Sequence, residues 1–150
     1  MAGVTRYGVL YEHMPAAVAV GGVFWWLDGN PAHVAIALAF GWLVDADHLC
    51  DYLIWLKRSG AKVSARDFVS GRFFKDSRKV YVPFHAWEWV LMLGLLAGTA
   101  GGYAAHLYCA AFALLAHLIQ DQLTNSPRTF GYSISYRFYH GNRIDRFCRP

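Results

Sequence analysis

Nine imidazole and carboxylate side chains sit in stretches of this chain that are otherwise apolar, and their spacing suggests a metal centre. His13 stands near the start of one apolar stretch, and Asp45, Asp47, His48 and Asp51 come late in a second. His85 and Glu88 open a third, and His117 and Asp121 close a fourth. Residues three or four apart share one face of a helix, which pairs Asp45 with His48, His85 with Glu88, Asp47 with Asp51 and His117 with Asp121. Helical bundles build metal sites from carboxylate–His pairs of this kind on facing helices. Carboxylates gathered without a cation repel one another and take up protons. A divalent ion removes that conflict. The three cysteines, Cys50, Cys109 and Cys148, form no CxxC pair and no even set, so neither a thiolate zinc site nor a disulfide framework is indicated. His and carboxylate donors without thiolate suit zinc, and also manganese or iron.

The segments that must carry these residues run from about Tyr7 to Leu27, Pro31 to Leu56, Phe84 to Thr99 and Tyr103 to Leu123. Each approaches the roughly 20 residues that span a bilayer. Hydrophobic residues make up 56% of the chain and charged ones 16%, against about 45–50% and about 25% in average soluble proteins. Ala16–Leu27, Val34–Val44 and Tyr108–Ala116 carry no charge on any face, where a soluble bundle would show a polar stripe. The expected fold is therefore all-α, an integral membrane four-helix bundle forming one domain over residues 1–150.

Basic residues set the expected orientation. The stretch from Lys57 to Val82 holds Lys57, Arg58, Lys62, Arg66, Arg72, Lys75, Arg78 and Lys79 against Asp67 and Asp76. The tail adds Arg128, Arg137, Arg143, Arg146 and Arg149 against Asp145, while the two short turns contain no Lys or Arg. The positive-inside rule places both termini and the long loop in the cytoplasm. The net charge of +4 thus reports topology, and no nucleic-acid partner is expected. Glu12 and His13 interrupt any leader-like apolar run, so the start does not read as a cleaved signal. Ser64-Ala65-Arg66-Asp67 reads as a helix start, with Phe68, Val69, Phe73 and Phe74 expected on the membrane surface.

Adjacent helices alternate in direction, so early positions in segments one and three lie level with late positions in two and four. His13 is 14 residues from Leu27, His48 is 16 from Ala32, His85 is 14 from Thr99 and His117 is 14 from Tyr103. All four then lie about 21–24 Å from the far membrane face. They share one layer, roughly 6–9 Å below the cytoplasmic edge of a hydrocarbon core about 30 Å thick. His13, Asp47, His48, His85, His117 and Asp121 are the expected ligands. Asp45 and Glu88 are expected as further ligands or as the general base that positions water. Asp51 either supports a ligand or pairs with Lys57 or Arg58. His33 and His106 lie toward the opposite face and read as packing or interfacial residues. In the tail, Arg137, His140 and Arg143 could hold a phosphate near the mouth of the site.

At these residues the chain resembles the membrane-bound metal-dependent hydrolases typified by the LexA-regulated inner-membrane protein. Leu43-Val44-Asp45-Ala46-Asp47-His48 is similar to that family's Leu-Pro-Asp-x-Asp-His motif, which follows an early His. Phe84-His85-Ala86 corresponds to its Thr-His-Ser, and Ala116-His117 through Asp121 to Thr124 corresponds to Ser-His-x-x-x-Asp-x-x-Thr. The order and spacing extend from His13 to Thr124. Val44 stands where the family has Pro, and Lys79-Val80-Tyr81-Val82 stands where a His-Arg pair is usual. Glu88, one turn beyond His85, is the candidate substitute for that missing His. The family's His and Asp pattern is like that of zinc-dependent phospholipase C, which implies hydrolysis of a phosphoester in a bacterial-type inner membrane.

A lipid headgroup reaches a site at that depth more readily than a large soluble substrate does. Metal-dependent hydrolysis of a lipid phosphate ester at the cytoplasmic leaflet is the leading expectation. Transport of a divalent metal or of protons, and di-iron oxidation chemistry, are the alternatives.

Overall fold

Pro15 lies in the first turn of α1 (Met14–Asp28), where its missing N–H leaves no hydrogen bond unmade. Gly29 ends that helix in the left-handed region, at φ 75°, with its N–H donating to the Trp25 carbonyl. The computed structural model describes residues 12–125 and 127–148. The part of the first expected segment from Tyr7 to Tyr11 lies outside the described residues. Helices are the regular secondary structure of those described, with no strand among them and two isolated antiparallel bridges, Lys79 to Arg143 and Pro127 to Cys148.

Three helices pack closely through small residues. α2 (Ala32–Gly41) lies against α1 and against α7 (Ala104–Thr124). A Cβ on Gly21 of α1 would come within 2.7 Å of the Val34 Cα, and one on Gly41 within 3.0 Å of the Ala17 Cβ and 3.2 Å of the Ala113 carbonyl. Ala17, Ala37 and Ala113 are buried at the same contacts. Small residues let helix backbones approach in this way in membrane bundles. α6 (Trp87–Ala97) closes the other side of α7, burying Leu93 and Ala97.

The second apolar segment is a broken helix. α2 stops at Gly41, Leu43–Asp47 form a 3-10 turn, and α3 (His48–Ser59) leaves at 43° to α2. A straight α-helix would place Asp45 and Asp47 on nearly opposite faces. The tighter turn keeps both buried. Among the described residues, the stretch Gly101–Thr124 is the one helix long and apolar enough to cross a membrane, with the bent pair 32–59 as a second if counted as one span. α1 has 15 residues and α6 has 11. At about 1.5 Å per residue α6 covers only about 16 Å. It is short because Ala86 before it is extended, at φ −149°, and glycines follow it.

The basic loop and the tail fold onto one another as a cap. α4 (Ala65–Val69) starts as the sequence suggests, with the Ser64 hydroxyl accepting from the Asp67 N–H at 3.2 Å. α5 (Arg72–Ser77) follows, and in the tail α8 (Ile134–Tyr139) and α9 (Ile144–Phe147). The Val80 N–H donates to the Asn142 carbonyl and the Ile144 N–H to the Arg78 carbonyl, fastening loop to tail. Phe73 and Phe74, expected on the membrane surface, are buried instead. Phe73 packs on Tyr52 and Phe74 on His48, each with ring centroids 5.6 Å apart. The tail supplies Tyr132 and Phe147 to the same core, so the two phenylalanines are covered by protein.

Candidate metal centre

Four imidazoles carried by different parts of the chain turn their Nε2 atoms toward two carboxylates. His13 immediately precedes α1, Asp45 lies in the 3-10 turn, and His48 opens α3. His85 sits two residues before α6, and His117 and Asp121 lie one turn apart on α7. The Nε2 atoms of His85 and His117 are 2.9 Å apart. Asp45 Oδ1 is 3.1 Å from His85 Nε2, 3.5 Å from His48 Nε2 and 3.5 Å from His117 Nε2. Asp121 Oδ1 is 3.3 Å from His13 Nε2, and its Oδ2 is 3.5 Å from His117 Nε2 and 3.7 Å from His85 Nε2. All except the half-buried His48 are buried.

Three overlapping sets of donors follow: His13, Asp45 and His117; Asp45, His48 and His85; His85, His117 and Asp121. Within each set one ligand atom per residue lies within 4.8 Å of the others, so each can hold a metal ion. Asp45, His85 and His117 each belong to two sets.

The surroundings orient these rings. His117 Nδ1 is 3.1 Å from the Gly41 carbonyl, which only accepts, so Nδ1 is the donor and in the neutral ring Nε2 presents its lone pair. His85 Nδ1 is 3.0 Å from Asp47 Oδ2, which also accepts from the Phe84 N–H at 2.8 Å. Asp47 therefore faces the outer nitrogen of His85, the carboxylate–histidine arrangement that fixes ring orientation in metal sites. Asp51 accepts from the Tyr81 and Val82 N–H groups at 2.8 and 2.9 Å, holding the segment that leads into His85. Among the described residues it forms no ion pair with Lys57 or Arg58. Glu88 lies outside the three sets: its Oε1 accepts from the Ser133 hydroxyl at 2.6 Å and the Ser135 N–H at 3.3 Å, anchoring the start of α8.

Among the tail residues, Arg137 is buried, and its two terminal nitrogens have no hydrogen-bond partner among the described residues. Burial lowers its pKa from the usual arginine value, and the charges of Asp47 and Glu88 oppose that shift. His140 packs against Tyr136 with centroids 4.3 Å apart and the rings tilted, and the exposed Arg143 pairs with Asp145 at 3.0 Å. Neither is brought to the ligand cluster.

Two supporting residues escape sequence reasoning. The Tyr132 hydroxyl donates to Asp121 Oδ2 at 2.9 Å, and the Asn125 amide donates to Asp121 Oδ1 at 2.9 Å. Asn125 follows Asp121 by one helical turn, a spacing that could have flagged it. Tyr132 had no such signal. Burial, with the Asp121 carboxylate adding to it, pushes its phenol well above the usual tyrosine value, so the hydroxyl remains a donor. Tyr132→Phe keeps the ring against Phe147, at 5.1 Å between centroids, and removes only that donor. The expected outcome is metal binding weakened by about 10–100-fold in a competition titration, the usual cost of losing such a support. Unchanged affinity would mean that Asp121 is held by other means.

No family model matches the chain, and no curated protein or solved structure matches it either, so its function rests on this geometry.

Proposed function

We propose that this protein is a membrane-embedded, metal-dependent hydrolase that cleaves a phosphate ester of a lipid at the cytoplasmic leaflet. The observation that carries the reading is the sharing of Asp45, His85 and His117 between donor sets, an arrangement suited to two neighbouring ions. The residues fit such ions: in the neutral ring Nε2 of His117 is left unprotonated by the Gly41 carbonyl, and oxygen and nitrogen donors without thiolate suit zinc, with manganese and iron also compatible. Ions bound there would polarise a phosphoryl group and acidify water, the Lewis-acid part of phosphoester hydrolysis.

The chain's own side chains supply the rest. His13, Asp45, His48, His85, His117 and Asp121 would hold such ions. Asp47 keeps His85 oriented. Asp45 also takes the proton released as water attacks phosphorus. The free N–H groups of Arg137 pair with phosphoryl oxygens, a geometry guanidinium suits. Glu88, once a candidate base, has the supporting part of positioning α8 and with it Arg137. Large apolar side chains exposed on the helices, among them Trp26 at 83%, Leu95 at 77% and Leu123 at 78%, support placement in lipid. With the basic cap on the cytoplasmic side, both termini face the cytoplasm.

The test incubates purified protein with a panel of membrane phospholipids, with and without chelator, and measures released phosphate or phosphorylated headgroup. Chelator-sensitive release, reduced about 10²–10⁴-fold in Asp45→Asn, is the expected result. No turnover of any lipid would overturn it.

One observation favours a second reading. The break at Trp42 lies directly beside the ligands, and broken helices at ion sites are a feature of transporters. Divalent-metal flux into liposomes bearing the protein, without hydrolysis, would establish that alternative.

A further inference from the structure

Beside the ligand cluster lies an apolar cavity of about 490 Å³. That is within the range of about 300–1,000 Å³ typical of small-molecule sites. It is walled by α2 and the 3-10 turn on one side and by α6 and α7 on the other. Three of its lining residues adjoin ligands along the chain: Val44 precedes Asp45, Phe84 precedes His85, and Leu114 lies one turn before His117. At its outer rim Phe40, Leu43, Phe84 and Met92 are 39–54% exposed. The cavity thus opens at the surface of the helices and is walled in part by chain neighbours of the His–Asp cluster.

Nothing in its wall offers a hydrogen bond. The lining carries no charged side chain, and the one polar group of its tryptophan, the Trp89 indole N–H, already donates to the Pro83 carbonyl at 2.8 Å. Water there would lack the two to four polar partners it needs. An apolar occupant suits it. Asp45 follows the lining Val44 in the chain and His85 follows the lining Phe84, so an occupant that extends past the cavity toward them must become polar at that end. A helix of a second copy would not, whereas an amphiphile does.

We propose that this cavity binds the part of a lipid's alkyl chain nearest its phosphate group, with the remainder of the chain in the bilayer. The proposal rests on the hydrolase reading for the position of the phosphate, and it adds that the substrate carries a long unbranched or isoprenoid chain. Seating the chain fixes the phosphate at the cluster, so chain length and cavity shape govern turnover.

Ala39 lines the cavity, is exposed and touches no ligand, so Ala39→Phe fills the space without disturbing the site. The probe is a phosphatidyl lipid brominated on its acyl chain near the headgroup, incorporated in nanodiscs. The Trp89 contribution to fluorescence, taken as wild type minus Trp89→Phe, should be quenched, and Ala39→Phe should abolish that quenching. Ala39→Phe should also lower turnover of long-chain lipid by about 10–100-fold, because a misplaced reactive group costs that much. Hydrolysis of a water-soluble short-chain phosphoester should be unchanged. Metal content should match wild type. Absence of Trp89 quenching in the wild type, or equal loss of long-chain and short-chain turnover in Ala39→Phe, would overturn the proposal. So would crosslinking through Met92 to a second copy in place of quenching. Quenching lost in Ala39→Phe with no ester turned over by any form would uphold the alkyl site and reject the hydrolase reading alone.

Discussion

Alanine at His85 or at His117 is expected to strip the protein of its metal, with binding weakened by more than the roughly 100-fold that a supporting residue can cost. Each belongs to two of the three donor sets, and their Nε2 atoms are 2.9 Å apart. Removing either leaves one set intact at most. His48 belongs to one set, so His48→Ala should give a partial loss. His106→Ala should keep full stoichiometry. That ring lies beside Asn30 at 3.4 Å and His33 at 4.8 Å between centroids, in contact with none of the ligands. Elemental analysis of purified variants by inductively coupled plasma mass spectrometry reads all four. Full metal content in His85→Ala and His117→Ala, or loss confined to His106→Ala, would contradict the assignment.

Zinc should also stabilise the fold strongly, and acid should cancel that effect. An ion that binds the native state alone, at about 100 times its dissociation constant, adds about 2.7 kcal/mol. For a chain of this size that raises the melting midpoint by roughly 5–11 °C. Asp45, Asp47 and Asp121 are buried together around this cluster, so removing the ion leaves their charges crowded. Protons and metal compete for the same Nε2 and carboxylate atoms. The metal-dependent rise is therefore full at neutral to mildly alkaline pH and shrinks as pH falls. A midpoint series over pH, with zinc or with chelator, measures this. A midpoint indifferent to both at neutral pH would rule out a metal integral to the fold.

The gathering of four imidazoles was legible because position along an apolar helix measures height along a bundle of alternating helices. Counting from the far end of each segment brings His13, His48, His85 and His117 to one level, and the structure brings the same four rings together. Helical spacing could not separate a ligand from its support. Asp45 and Asp47 are two residues apart in one acidic turn, yet one faces the Nε2 atoms and the other the outer nitrogen of His85. That difference comes from the 3-10 turn, and no proline marks the break: Gly41 and Trp42 read as part of one apolar run. Expected span lengths also exceeded the helices. Phe84–Thr99 is apolar throughout most of its length, but it opens in a turn at Phe84 followed by the extended Ala86, and α6 is correspondingly short. Composition reports what tolerates lipid, and hydrogen bonds decide where a helix starts.

The tail was the least legible part. Arg137, His140 and Arg143 read together as candidates to hold a phosphate, and only the fold separates them, with Arg137 buried while Arg143 meets Asp145 at the surface. Long-range contacts decide this: the Trp87 N–H donates to the Tyr132 carbonyl, and Ser133 bonds Glu88. Such contacts join residues 45 apart, beyond the reach of any local pattern.

The central claim is that these imidazoles and carboxylates hold metal, and anomalous diffraction tests it most directly. Crystals grown with zinc, measured on both sides of its absorption edge, are predicted to show two peaks about 3.5–4 Å apart, the usual spacing of paired ions. Both should be bounded by Nε2 of His13, His48, His85 and His117, with Asp45 between them. Zinc absent from this cluster, or found instead beside His33 and His106, would contradict the account.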